Sequence, residues 1–151
     1  MGDHPLRRLK PGTATRGAAA LLAIATLLAI PSATAQGPGR LAVVLTPPEH
    51  LVEEDRAEVV AEVRMQPPSD APLLVTPSTE GTAVEVVRGR LLRSDAEDPD
   101  AERLRFRIPI VARSAGTSVL RVRVRGWVCS RRCAPVSGEA SLVLRVARRA
   151  E

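Results

Sequence analysis

Aromatic side chains are nearly missing from this chain of 151 residues: it has no tyrosine, and Phe106 and Trp127 stand alone. Any hydrophobic core must therefore be aliphatic. Cysteine is almost as scarce, with only Cys129 and Cys133, so no framework of long-range disulfides can be assembled. Histidine occurs twice, as His4 and His50, and no serine stands in a nucleophile motif. A hydrolase triad cannot be built from that set. Lysine occurs once, as Lys10, so nearly all positive charge is arginine.

The N-terminal region has the three parts of an export signal. Arg7, Arg8, Lys10 and Arg16 precede an apolar, uncharged stretch over 18–30, which ends at Pro31 and runs into Ser32, Ala33, Thr34 and Ala35. Ala33 and Ala35 supply the small-x-small pattern of a cleavage site, so residues 1–35 are expected to be a signal peptide cut before Gln36. As a helix the apolar stretch would rise only about 20 Å, short of the roughly 30 Å of a hydrocarbon layer. No stable membrane span is expected after cleavage, and a periplasmic or secreted location follows. The chain carries 22 basic and 17 acidic residues, but Asp3 and those four basic residues leave with the signal, so 18 face 16 in the remainder. A net charge of only +2 removes the case for nucleic-acid binding that the high pI suggests.

Residues 36–151 read as one all-β domain. Short apolar runs alternate with turn residues at 41–46, 57–65, 73–76, 83–93, 103–113, 117–128 and 140–146. Within 103–113, Leu104, Phe106, Ile108, Ile110 and Ala112 share one face, and Arg103, Arg105 and Arg107 the other. The same design returns in Leu120, Val122 and Val124 against Arg121, Arg123 and Arg125. Pro109 suggests an edge strand or a bulge, Gly89 a bulge, 77–81 a turn, and the Glu-rich approach over 49–58 the start of a short helix. A tight hairpin about Ala115 would set Arg107 opposite Arg123 and Arg105 opposite Arg125, which is destabilising. Placing the two strands in different sheets avoids this. About seven strands then give an immunoglobulin-like antiparallel β-sandwich. The last two strands pair as a hairpin around a loop at about 129–138, with both cysteines at one end.

Cys129 and Cys133 are the best chemical lead. In an exported chain so close a pair forms a disulfide, and two roles remain open for it. One is a local staple of the loop. The other is a redox pair, in which Arg131 and Arg132 favour the thiolate. A structural or binding module predicts a buried bridge, and thiol-disulfide exchange an accessible one. The strand-loop-strand with paired cysteines and Pro135 soon after the second resembles the periplasmic N-terminal domain of the thiol:disulfide reductase DsbD, over roughly 120–146. The resemblance implies that Cys129 and Cys133 exchange electrons with partner thiols, and that Cys133 is the accessible sulfur.

Other groups are less specific. Asp95, Glu97, Asp98, Asp100 and Glu102 could offer oxygens to calcium, but Pro99 among them and the missing glycine spacing favour a solvated turn. Zinc would need Cys129, Cys133, His50 and a fourth ligand from elsewhere. The arginine rows could hold an acidic polymer, or be a solvated sheet face paired with the chain's own carboxylates. No metal, no cofactor and no catalytic set is expected. The expected partner is another exported or envelope protein.

Overall fold

Strict alternation of burial decides the architecture. The computed structural model describes residues 39–150, and the expected signal peptide, 1–35, lies outside them. The strands are β1 (Arg40–Thr46), β2 (Arg56–Gln66), β3 (Leu73–Glu80), β4 (Val84–Val86), β5 (Leu91–Leu92), β6 (Arg103–Ala112), β7 (Gly116–Cys129) and β8 (Cys133–Val146). They form two antiparallel four-stranded sheets, ordered β1-β2-β6-β4 and β5-β3-β7-β8. This is the immunoglobulin-like sandwich that the alternation predicts. Among the described residues no helix is long and apolar enough to cross a membrane.

The core is aliphatic around one ring. Phe106 is fully buried, with Leu104, Ile108 and Ile110 from β6, Val59 and Val63 from β2, Val75 from β3, and Leu120, Val122 and Val124 from β7. Each such side chain contributes roughly 1.5–3 kcal/mol through burial. Ser118 is the one buried polar residue of the described core, and its hydroxyl accepts the Val84 N–H at 3.1 Å. That bond ties the short β4 to the opposite sheet. β1 lies against β8 at Gly138, where a Cβ would come within 2.6 Å of Leu41 Cδ2 and 3.0 Å of the Leu41 carbonyl oxygen.

As the charge argument requires, β6 and β7 lie in different sheets, so Arg107 and Arg123 never face each other. Five local expectations are corrected. The run 83–93 is not one bulged strand: it breaks after Val86, and the chain crosses so that β4 pairs with β6 and β5 with β3. Gly89 lies in that crossing. The segment 49–58 starts no helix, because Glu54 takes φ 70° and Val52 forms a bridge with Ala147. Residues 77–80 belong to β3 rather than to a turn. The final loop is only 130–132, since β8 begins at Cys133 and pairs continuously to Val146. Finally, β6 is an interior strand and carries no bulge at Pro109, which pairs with Glu58.

Ladder phase explains how prolines sit inside three of these strands. The N–H and C=O of one strand residue point to the same side, and the Pro109 carbonyl accepts the Val87 N–H at 3.0 Å, just past the end of β4. Its missing donor thus faces the point where β4 stops. In β8, Ala147 donates to Leu51 and accepts from Glu53, so odd-numbered residues there direct their backbone groups away from β7. The missing donor of Pro135 therefore faces the open edge of β8. The same phase, carried through the β7 register, turns Pro77 towards the side of β3 where β5 covers only Leu74 and Val75.

Candidate functional site

The outer face of the β5-β3-β7-β8 sheet gathers the chemistry of the molecule. Odd-numbered residues of β7 point outward, setting Arg121, Arg123, Arg125, Trp127 and Cys129 in one row. On one flank β3 places Ser78, Thr76 and Leu74 opposite the three arginines. On the other, β8 places Ser141, Glu139, Ser137, Pro135 and Cys133 opposite successive members of the row. Leu92 of β5 lies across from Leu74.

The row has two electrostatic regimes. Arg121 reaches Glu80 at 2.9 Å and Glu139 at 3.1 Å, and Arg123 reaches Glu139 at 3.1 Å. Glu139 is held below the usual carboxyl range by hydrogen bonds, first from Arg123 and then from Arg121. Hydrogen bonding to Glu139 also raises the Arg121 guanidinium. Arg125 and Arg90 are different: neither has a carboxylate of the described residues within ion-pair reach. They rim an open groove of about 630 Å³ floored by Trp127, Pro135, Leu74 and Leu92. Trp127 is 46% exposed and Leu92 51%. Leu74, Arg90 and Arg125 also line an adjoining depression of about 310 Å³ with Arg121, Arg123, Thr76 and Ser78.

Cys129 and Cys133 stand directly opposite each other at the hairpin tip, Cα atoms 4.0 Å apart, and are joined as a disulfide. Both are exposed. The next outward pair along the ladder is Trp127 and Pro135, which line the groove, whereas Cys129 borders a separate pocket with Met65, Arg93 and Leu104.

The remaining candidates do not converge. His50 precedes Leu51, which bonds Ala147 beyond the C-terminal end of β8, while Cys133 begins that strand. Histidine and cysteines thus lie at opposite ends. Asp95 accepts the Leu92 N–H at 2.7 Å and pairs with Arg88, and Glu97 holds Arg105 and Arg107. Those carboxylates are turned on their own chain. The β6 row behaves likewise: Arg105 contacts Glu62 at 3.5 Å, and Arg107 contacts Glu58 at 3.1 Å and Glu97 at 2.7 Å.

In the sequence Trp127 is only a scarce aromatic, and nothing singles out Leu74, Arg90 or Leu92. One signal was available: Trp127 continues the 121, 123, 125 alternation and so falls on the solvent phase. The partners from β3 and β5 are fixed by pairing across the sheet, which no local pattern reveals.

No protein-family model matches the chain, and no curated protein matches it. Its fold is similar to native alpha-2-macroglobulin from Escherichia coli, in a crystal structure spanning the residues from domain MG7 to the C-terminus. The TM-score is 0.50 at 13% identity, over 73% of this chain and 17% of that one. At that identity the likeness is one of fold, an immunoglobulin-like sandwich.

Proposed function

We propose that the chain is an exported structural or binding module whose contact surface is the outer face of β5-β3-β7-β8 around Trp127. The observation that carries this reading is the position of the only tryptophan. In a protein so poor in aromatics, a ring that could fill the core instead stands 46% exposed in a groove beside arginines that no carboxylate of the described residues pairs with. Tryptophan and arginine are the residues on which interface energy concentrates. The partner is another exported or envelope protein, met in the periplasm or outside the cell after residues 1–35 are removed. Intact mass of the exported chain should begin at Gln36 within a couple of residues. A photo-crosslinking residue at Ser137, in the groove wall, should give an adduct in the cell envelope that disappears with Trp127→Ala. The same probe at Ala42, exposed on the other sheet, should give none. Equal labelling from both positions would refute the assignment of the surface.

A second reading is thiol-disulfide exchange through Cys129 and Cys133, in line with the resemblance to the DsbD domain. One observation favours it: both cysteines are exposed, as exchange requires and a buried staple does not. Equilibration in glutathione buffers with trapping of free thiols separates the readings. An exchange pair should titrate between about −120 and −230 mV, whereas a structural bridge should stay oxidised to below about −300 mV. Cys129→Ala should also accumulate mixed disulfides if exchange is the function, the Cys133 thiolate attacking a partner's disulfide and releasing one of its two sulfurs as a thiol.

A further inference from the structure

The groove and the depression beside it form one continuous amphipathic track, because Leu74, Arg90 and Arg125 line both. One end is apolar, built from Trp127, Pro135 and Leu92. The other is cationic, with Arg121, Arg123 and the hydroxyls of Thr76 and Ser78. Of the four arginines along it, Arg121 and Arg123 are answered by Glu80 and Glu139, while Arg90 and Arg125, where the apolar and cationic parts meet, have no carboxylate partner among the described residues. From Trp127 to Arg121 the track follows six residues of β7, about 20 Å at the strand rise. It lies open on a sheet face, so it suits an extended chain laid along it rather than an enclosed small molecule.

We infer that this track binds an extended acidic segment of a partner protein, with a bulky aliphatic side chain on Trp127 and a carboxylate two residues further on between Arg90 and Arg125. In an extended chain, side chains two residues apart lie on one face about 6.6 Å apart. That is also the spacing between Trp127 and Arg125 along β7. A carboxylate there would gain charge-assisted hydrogen bonds from guanidiniums that no carboxylate of the described residues engages. This inference rests on the contact surface proposed above and specifies the chemistry it accepts.

Because Trp127 is the only tryptophan of the chain, its fluorescence reports this groove and nothing else. The probe is a capped seven-residue peptide with leucine second, glutamate fourth and sixth, and threonine elsewhere. Titration into the full protein should shift the Trp127 emission saturably, more weakly as salt is raised. Replacing both glutamates by glutamine should weaken binding about tenfold, and lysines there should abolish it. Arg90→Gln and Arg125→Gln should each lower affinity for the glutamate peptide about tenfold at unchanged melting temperature. Equal binding of the glutamine or lysine peptide, or indifference to both arginine changes, would overturn the inference. So would an emission shift produced by phosphatidylglycerol vesicles but not by the glutamate peptide, which would make the track a lipid site. Crosslinking from Ser137 together with failure of the glutamate peptide would leave the surface standing and remove only its acidic occupant.

Discussion

The two ends of β7's outer row are written in the same alternating pattern and end in opposite conditions. At Arg121 and Arg123 every guanidinium is met by Glu80 or Glu139, and the surface is closed by the protein's own charges. At Arg125 and Trp127 those carboxylates stop, and the surface opens into a groove beside an exposed disulfide. A row of like charges therefore does not by itself mark a binding face. What marks it is the place where the internal counter-charges run out.

The largest test concerns what both ends share, the inward face beneath them. Val122 is fully buried and Arg123 exposed, one residue apart on the same strand. Val122→Asp should cost several kcal/mol and abolish folding by burying an unpaired carboxylate, whereas Arg123→Asp should stay within about 1 kcal/mol. Equal losses in thermal melts would mean that the faces have been exchanged.

An intermediate effect belongs to the open end. Replacing both cysteines by alanine should cost no more than about 2 kcal/mol, because the ring is short, and should leave the far-UV spectrum intact. Fourteen consecutive pairs between β7 and β8 hold the hairpin without the bridge. Trp127→Ala should lower stability by less than the loss of the bridge, since the ring is half solvated, while it removes the Ser137 crosslink. A collapse of stability with Trp127→Ala would place the ring in the fold rather than on the contact surface.

The smallest effect belongs to the closed end, and pH reads it. Glu139 is held below its ordinary value of 4.5 by Arg123 and Arg121. A depressed folded pKa means that the stability it contributes is present above the unfolded value and is lost as pH falls through the folded one. Glu139→Gln should thus lower the melting temperature slightly at pH 7, and the deficit should vanish well below pH 4.5. The mutant deficit at neutral pH should also shrink in high salt. Glu53 shifts the same way, mainly through the Ala115 N–H, so Glu53→Gln is a comparison outside the row.

Much of this fold was legible in the sequence because period-two burial is a local property. Leu104 to Ile110 and Leu120 to Val124 declare their inward face without reference to any neighbour, and the charges on the reverse face even separate β6 from β7 by sheet. What was not legible depends on partners. Pro77 reads as the start of a turn and Pro135 as part of a loop, because whether a missing donor matters depends on which side of the ladder it faces. The crossing from β4 to β5 was hidden inside a run that is apolar at both ends. For the candidate site, Cys129 and Cys133 could be found by count and spacing. The groove could not, since Leu74, Leu92 and Arg90 reach Trp127 only through the pairing of β3 with β5 and β7.

Two of the strand prolines carry a consequence for the protein in crowded surroundings. An exposed sheet edge invites a foreign strand to dock and nucleate aggregation. Pro77 and Pro135 each leave a gap in the hydrogen-bonding rail of β3 or β8, on the side where that rail is open, whereas Pro109 of the interior β6 is met there by Val87. A stray strand approaching along β3 or β8 meets a missing donor and a pyrrolidine ring. Replacing Pro77 and Pro135 would leave the fold's own ladders intact and remove the interruptions that keep neighbouring molecules from extending them.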